Sequence, residues 1–158
     1  MPTRILIPSG VLCLGFDRAA LARGVAANPD LIAIDGGSTD SGPWSLGAGQ
    51  SKYARSVTKS EWRELMLARA EAGVPLVIGT AGTCGADACV DWMFDITQEL
   101  ATELGQSLRI ARLYSNPPSP RITDALAPGR VKPLTPAPEI NAETLAQMTH
   151  IVALAGAE

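Results

Sequence analysis

Three short apolar runs in the first half of the chain each end in a segment of Gly, Ser, Thr and Asp residues. The runs and the segments that follow them are residues 5–7 with 8–10, 31–34 with 35–43, and 76–78 with 79–87. Short apolar runs bounded by turn residues are typical of buried strands. Because parallel strands end at one edge of a sheet, where open α/β folds and β/α barrels bind ligands, the pattern predicts where a ligand site lies.

The remaining elements follow from hydrophobic spacing and from helix start and stop signals. The predicted helices are residues 17–27, 58–73 and 87–105, with shorter ones near 122–126 and after Asn141. The helix at 58 begins with a capping box formed by Thr58 and Glu61. Residues 108–113 and 150–154 are predicted as the fourth and fifth strands. A Gly/Ser-rich inserted loop (36–57) and a Pro-rich irregular segment (116–138) complete the chain.

This order predicts one α/β domain over residues 1–158. The expected architecture is a three-layer, Rossmann-like, mostly parallel sheet, and half of a β/α barrel is the alternative. A buried fifth strand close to residue 158 has no crossover helix after it, and parallel strands need such crossovers. We therefore expect a larger fold, completed by a second polypeptide or by a missing C-terminal part, and an oligomer.

Composition limits the partners of this chain. A net charge of −3 and a pI near 5.2, with no cluster of basic residues, argue against nucleic acid. The absence of a long apolar segment and of a signal peptide predicts a cytoplasmic protein with no membrane contact. Three cysteines without a CxxC pair predict neither a disulfide framework nor a zinc site.

The segment after the second strand holds the sharpest motif. Asp35, at the end of a predicted central strand, is a candidate base or orienting carboxylate. The substrate-binding candidates that follow it are Gly36, Gly37, Ser38, Thr39 and Asp40. The two glycines allow a close approach of backbone to ligand, and the oxygens would also suit a divalent cation, although no residue is assigned as a metal ligand. The alternative is an Asx or Ser/Thr turn.

The segment after the third strand leads directly into a helix. Its glycines are spaced by three, so it is neither a Walker A loop nor a dinucleotide fingerprint. Free backbone N–H groups and the helix dipole there predict an anion site. The substrate-binding candidates are Gly79, Thr80, Gly82, Thr83 and Asp87. For Asp87, capping of the helix is an adequate alternative.

Four further side chains are candidates. Cys84 precedes a helix, where the dipole favours a thiolate nucleophile, although most free cysteines are simply buried. Tyr114 ends the fourth strand as an acid or orienting group, and Ser9 ends the first strand as a substrate contact. His150 begins the fifth strand and is expected at the opposite edge. Lys52 or Arg55 could neutralise an anionic substrate if the insertion folds inward.

These motifs make the chain resemble the acyclic terpene utilisation AtuA-like family, formerly a domain of unknown function. The stretches that carry the resemblance are residues 8–10, 15–24, 29–43 and 78–82. The resemblance implies a longer protein and acyl or carboxylate substrates, without naming a reaction. We expect an enzyme of small-molecule catabolism that acts on a small anionic carboxylate or acyl substrate by addition–elimination, as a lyase or hydratase. The alternatives are a hydrolase with Cys84 or a Ser/Thr nucleophile and a base from a partner chain, and a non-catalytic binding subunit of a heteromer. No cofactor is firmly implied.

Overall fold

The computed structural model describes residues 2–37 and 44–153. Within these ranges the elements are β1 (Ile5–Leu6), α1 (Arg18–Ala26), β2 (Leu31–Asp35), α2 (Trp44–Ala48), α3 (Arg55–Ala72), β3 (Leu76–Gly79), α4 (Asp87–Glu103), α5 (Ser119–Leu126) and α6 (Ala142–Gln147). A short 3-10 turn, Ala81–Thr83, joins β3 to α4. The strands form a parallel sheet of order β1-β2-β3, so the predicted mixed α/β class with a parallel sheet is confirmed.

One face of the sheet carries the hydrophobic core. Ile32 and Ile34 of β2 are buried there beneath α1, α3 and α4. The side chains of a strand alternate between faces, so the neighbouring residues point to the other side. On that other side Ile5, Ile7 and Val77 are exposed to 53%, 64% and 50%. Parallel sheets are usually covered on both faces, and this one is open at these three positions.

Most helix boundaries follow local signals in the sequence. The side chain of Asp17 caps α1, and Gly73 ends α3 in the left-handed conformation. The predicted capping box is wrong, because α3 begins one turn earlier, at Arg55, inside the predicted loop. Thr58 is buried within the helix, and Glu61 accepts hydrogen bonds from the main-chain nitrogens of the loop that follows β1. A tertiary contact has replaced the predicted local one.

The predicted fourth and fifth strands do not form. Residues 108–113 make no strand pairing with described residues, although they run beside β3 from the C-terminal part of α3 to the start of α4. A cavity of about 1130 Å³ lies between this segment and β3. Residues 150–153 form no strand either, and residue 154 lies outside the described residues. An apolar pattern specifies a strand only where a neighbouring strand lies close enough to pair.

Candidate functional site

The loops that follow the three strands are joined by main-chain hydrogen bonds. Leu12 N donates to Asp35 O at 2.8 Å, which fixes the first loop on the end of β2. Gly36 N donates to Gly79 O at 2.7 Å, and Thr83 N donates to Gly36 O at 3.2 Å. The three polar segments therefore meet at the carboxyl edge of the sheet, as their order in the sequence predicts.

Asp35 presents a fixed carboxylate at this edge. Its Oδ1 atom accepts a hydrogen bond from Gly37 N at 2.9 Å and a second from the Thr80 hydroxyl. Thr80 has a left-handed backbone (φ 42°), a conformation that is costly for a β-branched residue. The Asp35 Oδ2 atom has no hydrogen-bond partner among the described residues, and the residue is exposed. One carboxylate oxygen is thus held, and the other faces outward.

Gly36 and Gly37 are required by the neighbouring loop. A Cβ atom on Gly36 would lie 2.6 Å from the carbonyl oxygen of Gly79, and one on Gly37 would lie 2.2 Å from the Cα of Thr83. The structure therefore explains these glycines by the contact between two loops of the protein. Their contact with a ligand stays a prediction. Ser38, Thr39 and Asp40 lie outside the described residues.

Thr83 is the point where the inserted segment meets the loop after β3. Its side chain is fully buried, and its Oγ1 lies 3.1 Å from Ser51 Oγ and 3.3 Å from Lys52 N. Gly82 beside it has a positive φ of 63°, and a Cβ there would meet the side chain of Cys89 at 2.7 Å. These two residues support the loop from within, whereas Gly79 is exposed and Thr80 partly exposed at the edge.

The start of α4, predicted to bind an anion, already has a partner within the chain. Asp87 Oδ1 accepts from the main-chain nitrogens of Ser115 and Asn116, both at 3.1 Å. Asp87 N donates in turn to Asn116 Oδ1 at 3.3 Å. This reciprocal pair fixes the end of segment 107–115 on α4. A substrate anion at this helix end would have to displace the Asn116 amide oxygen.

Tyr114 lies further along α4. Its hydroxyl donates to Asp91 Oδ1 at 2.6 Å, and Arg112 binds the same oxygen at 2.7 Å. The hydrogen bond to Asp91 raises the pKa of Tyr114 above its usual value of 10. No hydrogen bond among the described residues joins Tyr114 to Asp35. The two predicted catalytic groups are therefore fixed by separate contacts.

Cys84 and Cys89 form a buried pair of thiols. Their sulfur atoms are 3.5 Å apart, and Cys89 Sγ also lies 3.4 Å from the carbonyl oxygen of Gly49. Burial, together with the hydrogen bond and charge of Cys84, raises the pKa of Cys89 to about 12. Cys84 has no exposed surface. This environment shields both sulfur atoms and keeps the Cys89 thiol protonated at neutral pH.

The expected place of His150 is wrong. Because residues 150–153 form no strand, the chain returns over the inserted segment, and a Cβ on Gly49 would lie 2.7 Å from His150 Nε2. The imidazole therefore lies on the same side as the thiol pair, without a hydrogen bond to either described thiol. Residues that are distant in the sequence make this contact, and no motif indicated it.

The other candidates lie in supporting positions. Ser9 Oγ contacts the main chain of Val11, at 3.3 Å to O and 3.5 Å to N, in the loop that joins the end of β2. Arg55 pairs with Glu99 on α4 at 2.8 Å, so it belongs to the contact between α3 and α4. Lys52 stays on the inserted segment, with its ammonium 5.3 Å from the ring centre of Tyr53.

No protein-family model matches the chain, and no match was found among curated proteins or solved structures. Among the described residues, no group of three or more His, Cys, Asp and Glu side chains is arranged to hold a metal ion. No described helix has the length and apolar character needed to cross a membrane.

Proposed function

We propose that this chain carries the acid–base site of an enzyme that acts on a small carboxylate or acyl substrate. The observation that carries the proposal is the Asp35 carboxylate, whose Oδ1 is held by Thr80 and Gly37 while Oδ2 faces outward at the carboxyl edge of a parallel sheet. A carboxylate fixed in this way is pre-organised to take a proton from carbon next to a carbonyl group. Lyase or hydratase chemistry of this kind is the function that we favour. The resemblance to the AtuA-like family implies carboxylate or acyl substrates, which suit this chemistry.

Recognition of the substrate's negative end would fall to groups around Asp35. The main-chain nitrogen of Lys52 donates to Thr83 Oγ1, which joins the inserted segment to the loop after β3. Thr80 keeps Asp35 in one orientation, so its hydroxyl is a positioning group in the proposal. In this arrangement proton transfer depends on the carboxylate, whereas binding depends also on its neighbours.

Hydrolysis through Cys84 has less support from the geometry. The thiol is fully buried and its neighbour is Cys89, which supplies no base at neutral pH. A nucleophile needs both access and a base within hydrogen-bond reach. A non-catalytic binding subunit is the remaining alternative, and it predicts ligand binding without proton exchange.

The test is proton exchange between substrate and solvent. The full chain is incubated in D₂O with a panel of small carboxylates and acyl thioesters, and deuterium at the carbon next to the carbonyl is followed by NMR. We expect Asp35→Asn to lower exchange about 100-fold or more, with ligand binding largely kept. Cys84→Ser should retain exchange, and Asp95→Asn on the exposed face of α4 is the matched control.

Two results would contradict the proposal. Proton exchange that survives in Asp35→Asn but is lost in Cys84→Ser would favour a reaction in which Cys84 is the nucleophile. Binding of a panel member by the wild-type chain with no exchange at all would favour the binding subunit.

A further inference from the structure

The cavity beside β3 lies where the next strand of the described sheet would be. Its floor is formed by apolar side chains of α3 and α4, among them Met66, Met93 and Phe94. One wall is β3, and the opposite wall is the extended segment 107–113. We call this space the β3 groove. It continues the sheet outward over the helices that already cover β2 and β3.

The wall formed by β3 presents unpaired main-chain groups. Ile32 N donates to Pro75 O and Gly36 N to Gly79 O, so the odd-numbered positions of β3 bond to β2. The N–H and C=O groups of Leu76 and Ile78 therefore point into the groove, and they have no hydrogen-bond partner among the described residues. An edge of this kind is a template for another strand.

The opposite wall has the same property. Residues 107–114 make no main-chain hydrogen bond to any described main-chain group. Leu113 is nevertheless 63% exposed and Ile110 42% exposed, although both are apolar and isoleucine is enriched in strands. Two backbones with unpaired main-chain groups thus border one apolar cavity, and an extended chain placed in it would find hydrogen-bond partners there.

Charge at one end of the groove indicates what the occupant carries. Arg69 and Arg109 line the end where β3 begins, and neither forms an ion pair with a described residue. The chain as a whole is acidic, so two unpaired cations at this end favour an acidic partner segment there.

From these observations we propose that the β3 groove binds a β-strand of a second polypeptide. The strand lies parallel to β3, is apolar, and begins with acidic residues next to Arg69 and Arg109. Main-chain hydrogen bonds to Leu76 and Ile78 on one side and to residues 107–113 on the other give the affinity, as in other strand-addition complexes. The interaction is independent of the chemistry assigned to Asp35.

The test uses a synthetic probe, the acetylated peptide Asp-Glu-Val-Thr-Ile-Thr-Val-Thr, and the full chain. Amide hydrogen exchange is measured by NMR with and without the peptide. We expect exchange at Leu76 and Ile78 to slow by about tenfold or more, while Val77, whose amide already faces β2, changes little. A peptide N-methylated at every second residue keeps the side chains but should not protect these amides.

A charge reversal tests the orientation. Arg109 is exposed, and its side chain makes no hydrogen bond or ion pair with a described residue, so Arg109→Glu should leave the fold intact and weaken binding of the acidic peptide about fivefold. A peptide with two lysines in place of the acidic residues should regain that affinity on the variant.

Three outcomes would overturn the proposal. The first is no protection at millimolar peptide, and the second is equal binding of the N-methylated peptide. The third is protection of Leu76 and Ile78 in the chain alone. Protection that is independent of concentration would assign the groove to the chain's own residues, and protection that rises with concentration would assign it to a second copy.

Discussion

Replacing Gly37 by alanine would place a methyl group inside the neighbouring loop. The added Cβ would lie 2.2 Å from the Cα and 2.9 Å from the N of Thr83, whereas carbon atoms normally pack at about 3.5–4.0 Å. The obstacle is backbone, so no side-chain rotation can relieve the clash. One of the two loops must move by about 1 Å or more.

The cost follows from what holds Thr83 in place. Thr83 N donates to Gly36 O, and its hydroxyl lies 3.1 Å from Ser51 Oγ, so a shift large enough to relieve the clash strains or breaks both contacts. Overpacking costs about 1–3 kcal/mol, and each lost hydrogen bond adds about 1 kcal/mol. We therefore expect Gly37→Ala to lower the free energy of unfolding by about 2–4 kcal/mol.

Urea denaturation followed by circular dichroism measures this change in the free energy of unfolding. In thermal denaturation, the Tm should fall by about 5–15 °C. Gly47→Ala is the matched control, because a Cβ at Gly47 inside α2 has no atom within 4 Å. Alanine is the better helix former, so this variant should be neutral or more stable by up to about 1 kcal/mol. Equal stabilities for the two variants would refute the reasoning that the loops at the sheet edge are packed backbone against backbone.

Three further predictions concern stability and thiol reactivity. Glu61→Gln weakens two charge-assisted hydrogen bonds to the loop after β1, and urea denaturation should show a loss of about 1–3 kcal/mol. The hydrogen bond from Lys59 holds the pKa of Glu103 below its ordinary 4.5. The stability that this pair contributes is therefore present above about pH 4.5 and is lost as pH falls through the lower pKa of the folded state. In Lys59→Met, the free energy of unfolding should therefore decrease less steeply as the pH is lowered. Iodoacetamide at pH 8 should label Cys84 and Cys89 about 100-fold more slowly in the folded chain than in urea, as followed by peptide mass spectrometry.

The sequence was sufficient for the elements that depend on local patterns. The apolar run at residues 31–34, the helix start near Asp17 and the helix end at Gly73 are all local signals, and the structure has β2, the start of α1 and the end of α3 at these places. The convergence of three polar segments also followed, because parallel strand order alone brings their ends together.

The remaining errors involve partners that are distant in the sequence. Residues 108–113 have the apolar pattern of a strand, but pairing depends on the distance to β3, which no local pattern contains. The Thr58 and Glu61 spacing fits a capping box, yet Glu61 binds a loop some 46 residues away. Gly36 and Gly37 stood out as unusual, while the reason for them, the loop at Gly79–Thr83, became visible only in three dimensions.

The role of Asp35 is tested most directly by an amide chemical-shift map of the chain, titrated with whichever carboxylate or acyl thioester of the panel shows proton exchange. We expect the largest shifts at Leu12, Gly37, Thr80 and Ala81, around the outward oxygen of Asp35. Shifts confined to the β3 groove, or to the open sheet face at Ile5 and Val77, would place the ligand elsewhere and contradict the assignment of Asp35.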